Sequence, residues 1–177
     1  MAKQIRRIVT GHNAAGKSII AQDGFATSIL ELPSAPGLRV TDLWETTTAP
    51  ADLSSNADPV ARPVHLEPAR TGTICRVVEL PPDAAISKNA DSREMFAALG
   101  AGHTVDTSSS TAMMHKTASV DYAIVLSGEV WAVMDEGETR MQAGDVLIQR
   151  GTNHAWSNRS NAPAMVAFIL VGATPLS

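Results

Sequence analysis

Short apolar runs separated by turn residues set the rhythm of this chain. "RRIVT", "SIIAQ", "TSILEL", "GTICRVVEL", "DYAIVLSG", "EVWAVMD", "DVLIQRG" and "AMVAFILVG" are rich in β-branched and apolar residues, and Gly, Pro, Asn or Asp punctuates most of them. Many short strands with such turns predict an all-β fold, a sandwich or a barrel. The clearest hairpin is "EVWAVMDEGETRMQAGDVLIQ", turning at Asp135, Glu136, Gly137 and Glu138. Two stretches break the rhythm. Residues 46–70 are rich in Thr, Ala, Pro, Ser and Asp and read as an irregular arm. Residues 81–112 open on Pro81-Pro82 and close on the polar run Thr107 to Thr111. Within them "DSREMFAALGAG" predicts a helix, capped by Asp91 or Ser92 and ended at Gly100. An insertion of this length is either a lid or binding segment or a plain surface excursion.

One motif competes with this picture. "TGHNAAGKSII" holds Gly11, four residues, then Gly16-Lys17-Ser18, a full match to the phosphate-binding loop pattern. That loop must leave a strand and open a helix. Here Ser18 is followed by Ile19-Ile20 and then Asp23-Gly24, which is too short for a helix. Gly11 and Gly16 are better read as turn residues of an N-terminal hairpin. No nucleotide is expected.

Composition narrows the class. The 177 residues suggest one domain, and 44% hydrophobic with 18% charged residues suits a globular chain. The formal charge of -4, with no basic run, argues against nucleic acid. No apolar run approaches membrane-spanning length, so no membrane role is expected. Lys3, Arg6 and Arg7 are not followed by an apolar run, so the expected setting is cytoplasmic. The single cysteine, Cys75, cannot form an internal disulfide and reads as a small strand residue.

The chemistry concentrates between Met114 and Asn158. Strand alternation puts His115 and Thr117 on one face, and Asp121 has the same parity. His154 follows the turn Gly151-Thr152-Asn153. Two histidines and a carboxylate are the donor types of a divalent-metal site with open positions. The alternative is a metal-free polar cluster, in which a histidine beside Asp121 acts as general base.

This stretch resembles the two-part signature of the cupin superfamily. His115, one residue, Thr117, three residues, Asp121, six residues and Gly128 match the first motif's spacing. Gly151, two residues, His154, three residues and Asn158 match the second. The segment is also similar to a subgroup of small single-domain cupins with an H-x-T-x-S-x-D-Y first motif. The departures are Ser109 for the opening glycine, Thr117 for the second histidine, Asp121 for the glutamate and Gln149 for the proline.

The resemblance implies a double-stranded β-helix, or cupin jelly roll. It would carry an N-terminal strand extension and the partly helical insertion. Residues 1–72 would pack as strands and arm on the barrel or on a partner subunit, and 73–177 would form the barrel, with 81–112 inserted. It implies a homodimer and a divalent metal (Zn, Fe, Mn or Ni) held by His115, Asp121 and His154, the same residues being the expected catalytic set. The implied activity is proton-transfer chemistry, as in a dehydratase, decarboxylase or isomerase, on a small carbonyl- or carboxylate-bearing substrate. An Fe(II) oxygenase and a non-catalytic ligand sensor are the alternatives. Thr117, Trp156 and His103 are the expected substrate-binding residues. Trp156 shares parity with His154 and could wall the pocket or pack in the core. His103, in a Gly-flanked loop, would reach the mouth if the insertion folds over. Met95, Met113 and Met114 could line the mouth or fill core gaps. Tyr122 should point outside, and His12 and His65 should lie on the surface.

Overall fold

A computed structural model describes residues 4–86 and 91–175, so residues 87–90 of the expected insertion lie outside the described part. The strands are β1 (Arg6–His12), β2 (Ser18–Phe25), β3 (Ile29–Leu32), β4 (Ala35–Thr46), β5 (Thr73–Leu80), β6 (Ser119–Ser127), β7 (Glu129–Met134), β8 (Glu138–Gln142), β9 (Val146–Gln149), β10 (His154–Ser157) and β11 (Ala164–Gly172). The α-helix is α1 (Ser92–Ala97). One sheet runs β3-β4-β5-β11-β6-β9, a second runs β10-β7-β8, and β1-β2 form a hairpin of their own.

The two larger sheets face each other as a jelly roll, and alternation fills the space between them. Ala123 and Val125 of β6, Val130 and Ala132 of β7, Met141 of β8 and Val166, Phe168 and Leu170 of β11 form one buried cluster. Each of the Val, Leu, Met and Phe side chains among them contributes about 1.5–3 kcal/mol by leaving water. Tyr122, one residue out of phase with these, is on the outer face and 41% exposed. Gly128 turns the chain from β6 to β7 at φ 73°, and a Cβ there would sit 2.9 Å from the Ala164 backbone. Only glycine meets both conditions.

The hairpin reading of "TGHNAAGKSII" matches the structure. β1 pairs antiparallel with β2 through the turn. Asn13 Oδ1 accepts from the backbone N–H groups of Ala15 and Lys17, and Asn13 O accepts from Gly16 N. The amides a phosphate would need are therefore spent within the turn.

The longest strand, the 12-residue β4, was not among the expected ones. Its start carries Pro36-Gly37, and its inward positions include Asp42 and Glu45, so the apolar alternation that marks a strand is missing. Those acids are partnered from the irregular arm that follows. Arg62 binds both Asp42 (3.0 Å) and Glu45, and His65 meets Glu45 at 3.2 Å. The arm is thereby tied across one end of the barrel.

Asp91 caps α1 by accepting from Arg93 N at 2.8 Å, and Gly100 follows the helix at φ 68°. Met95 and Phe96 are its buried residues. Phe96 packs with Leu66 of the arm and Ala101, and Leu66 N donates to Leu99 O. Insertion and arm therefore close over the same opening. Among the described residues no helix is long and apolar enough to cross a membrane.

Candidate active site

Behind Phe96 lies a cavity of about 120 Å³. Its walls are Val40, Val78, Leu80, Phe168 and Leu170 from the large sheet, Phe96 and Leu99 from the insertion, Met113 just after it, and Leu66 from the arm. Six polar or amphipathic side chains also reach it: Arg76, His115, Thr117, Asp121, His154 and Trp156. A void near 150 Å³ takes a benzene-sized guest, so this one suits a single small ring or a short branched chain.

Backbone pairing brings the histidines together. His115 and His154 exchange both backbone hydrogen bonds at 2.9 Å, so their side chains leave the same face of the ladder. The rings stand 4.2 Å apart, centroid to centroid. Phe96 covers His115 at 4.4 Å, and Trp156 meets His154 edge-on at 6.0 Å and Phe168 at 5.2 Å. One wall of the cavity is thus continuously aromatic.

Burial keeps both imidazoles neutral. It is the main cause that pulls His115 down to about 3, with repulsion from His154 adding to it and the carbonyls of Met113 and His154 opposing. Burial likewise lowers His154, against the Thr152 carbonyl. His115 Nδ1 lies 2.9 Å from Met113 O, and His154 Nδ1 lies 3.0 Å from Thr152 O. A carbonyl oxygen only accepts, so each Nδ1 carries the hydrogen and each Nε2 keeps a lone pair.

Asp121, on β6, is 5% exposed, and its enclosed Oδ1 has no hydrogen-bond partner. Desolvation pushes its carboxyl up to about 6, while Ser119 and the Arg76 charge pull the other way. Thr117 turns its hydroxyl to Ser119 at 2.9 Å.

Sequence reasoning missed Arg76. It lies on β5 at the inward parity of Ile74 and Val78, is 2% exposed, and reaches Asp42 through Nε at 3.1 Å and the His65 carbonyl through Nη2. A charged residue in phase with apolar neighbours was the available signal.

The implied metal ligands are all in the cavity wall but do not form a ligand set. Among the described residues no three His, Cys, Asp or Glu side chains are grouped so as to hold a metal ion. The imidazoles adjoin each other and each keeps a bare Nε2, Asp121 Oδ1 has no partner, and Thr117 turns to Ser119. As the side chains stand, His115, Asp121 and His154 are not drawn together as a three-ligand set.

Trp156 and Thr117 line the cavity, as does Met113, whereas Met114 is packed in the interior at 2% exposure. His103 does not reach it: it pairs with Glu67 at 3.0 Å on a separate surface groove shared with Lys116 and Arg150. His12 is exposed, and His65 is half-buried beside Glu45. Cys75 is free and half-buried, its thiol pushed up by desolvation.

A cupin domain family model matches residues 104–171. The chain is 32% identical over 181 aligned positions to the phomopsin biosynthesis cluster protein C' of Diaporthe leptostromiformis, covering 96% of this chain and 79% of that protein. It is 25% identical over 179 positions to the cupin-domain-containing oxidoreductase virC of Hypocrea virens, covering 96% and 77%. A stretch of 66 positions is 42% identical to the oryzines biosynthesis cluster protein J of Aspergillus oryzae, covering 36% of this chain and 37% of that protein.

Proposed function

The chain belongs to the cupin superfamily, and from that premise we propose that it is a small-molecule enzyme that moves protons on a carbonyl- or carboxylate-bearing substrate of single-ring size. One observation carries this reading: an apolar cavity holds two imidazoles whose charged form burial disfavours, together with a carboxyl group raised to about 6. A neutral imidazole offers an acceptor, and a carboxyl raised to about 6 can hold a proton just below neutral pH, which are the two halves of acid–base catalysis.

In this reading the substrate's apolar body lies against Phe96, Trp156 and Phe168. A histidine Nε2 takes a proton from carbon next to the carbonyl, leaving an enolate. The Arg76 charge stabilises the negative oxygen. Asp121, protonated, then gives its proton to a departing hydroxyl, which leaves as water, or to another carbon, which completes an isomerisation. The imidazolium returns its proton to Asp121 or to solvent. Each half-step conserves charge and needs no oxidant.

Relatives named for biosynthesis clusters support an enzyme at a coarse level, and one named an oxidoreductase supports a second, redox reading, which we take as one in which the product gains oxygen. Mass analysis separates the two. The protein is incubated with ring-sized hydroxy- and keto-acids, with and without a chelator. The expected products have the substrate's mass or have lost water, and chelation leaves the rate unchanged. His115→Gln and His154→Gln should each slow turnover by about 10²-fold or more. Activity that disappears with chelator and returns only with ferrous iron, giving an oxygenated product, would replace this reading with the second.

A further inference from the structure

Each imidazole is pinned in the same way. The carbonyl two residues earlier accepts from Nδ1: Met113 O for His115 and Thr152 O for His154. The peptide N–H of that earlier residue is in turn held by a side chain from elsewhere in the chain. Met113 N donates to Ser92 Oγ at 3.0 Å, across 21 residues. Thr152 N donates to Gln149 Oε1 at 3.1 Å, and the Thr152 hydroxyl donates to the same oxygen.

Neither hold is incidental. Met113 is the one described non-glycine residue at positive φ, 63°. An L side chain there costs of order 1–3 kcal/mol and persists only where surroundings impose it. Ser92, the first residue of α1, and the cavity contact of the Met113 side chain are those surroundings. Gln149 is 2% exposed and stands where the family's motif has proline. Proline has no side-chain acceptor, so the departure supplies the group that orients Thr152.

We propose that Ser92 and Gln149 are positioning residues, which fix both imidazoles as the Nδ1–H tautomer and so present two Nε2 acceptors to the cavity. The site then accepts two hydrogens from its ligand side by side, which selects a substrate carrying a donor pair (an acidic C–H beside a hydroxyl, or two hydroxyls). This inference rests on the acid–base reading for its purpose, but the tautomers can be read without turnover.

The test is ¹⁵N NMR of the imidazoles in the full chain at pH 7, with His115→Gln and His154→Gln assigning the signals. Wild type should show Nδ1 protonated and Nε2 bare at both residues. In Ser92→Ala the Nε2–H form of His115 should rise at least about tenfold and kcat fall about tenfold, with KM little changed. Ser92→Thr, which restores the acceptor, should reverse both. Met113→Gly keeps the left-handed backbone and the carbonyl, so the His115 tautomer should stay as in wild type. Gln149→Leu should shift His154 and leave His115 unchanged. Unshifted tautomers in folded Ser92→Ala and Gln149→Leu would overturn the proposal. If Gln149→Leu does not fold, an unshifted His115 in Ser92→Ala, which alters a half-buried residue, overturns it alone. A shifted tautomer with undiminished turnover would uphold the positioning and count against the acid–base reading.

Discussion

Asp121→Asn should slow turnover by about 10²–10⁴-fold and, above pH 6, make the protein more stable. The first effect follows because an amide cannot give up the proton the reaction needs. The second follows from the sign of the perturbation. The Asp121 carboxyl is raised from 3.8 to about 6 in the folded state, chiefly by desolvation. A group raised on folding contributes stability that is complete below its unfolded value and is lost as pH rises through its folded one. The gap is worth about 3 kcal/mol once both states are ionised. At pH 8 wild type bears that cost and the amide does not, whereas at pH 4, close to the unfolded value, little of it remains and the two differ mainly by the altered shape and hydrogen bonding.

Melting curves at pH 4 and pH 8 therefore isolate the charge, because effects of shape are common to both. The variant should gain on wild type by about 5–10 °C between those pH values. A gain that does not grow with pH would mean that Asp121 is ionised and paired in the folded protein. The acid in the mechanism would then have to be sought elsewhere.

The sequence was most readable where both faces of the chain told the same story. β11 is apolar throughout and "DYAIVLSG" carries a continuous apolar run, and both form strands as expected. His115, Thr117, Asp121, His154 and Trp156 share the cavity because alternation and the pairing of His115 with His154 put them there. Position in a pattern did not reveal what each donor atom faces. Asp121 has the right parity for a ligand, yet what sets its charge is burial, Ser119 and Arg76, none of which the spacing shows. β4 and Arg76 were hidden for one shared reason. Asp42 and Arg76 face each other across β4 and β5, so two inward charges compensate in space while each spoils the apolar pattern of its own strand. His103 shows the converse limit: a flexible-looking loop histidine found its partner, Glu67, on the surface.

That hidden pair supports the other large effect. Arg76→Met should destabilise the protein by about 3–5 kcal/mol, lowering its melting temperature by about 10 °C or more. Asp42 has no exposed surface, and without Arg76 its remaining cation among the described residues is Arg62, which Glu45 also claims. The loss measures an uncompensated buried charge, not the net worth of the pair. The double variant Asp42→Leu with Arg76→Met removes one charge of each sign and leaves Arg62 with Glu45, so it should recover most of the stability. It also separates structure from chemistry. In that refolded background Arg76 is absent while the barrel stands, so a rise in KM confined to anionic substrates, about tenfold or more, would identify Arg76 as their anchor. Equal KM for anionic and neutral substrates, with kcat unchanged, would confine Arg76 to holding β4 against β5, and the charge that steadies the enolate would have to come from another group.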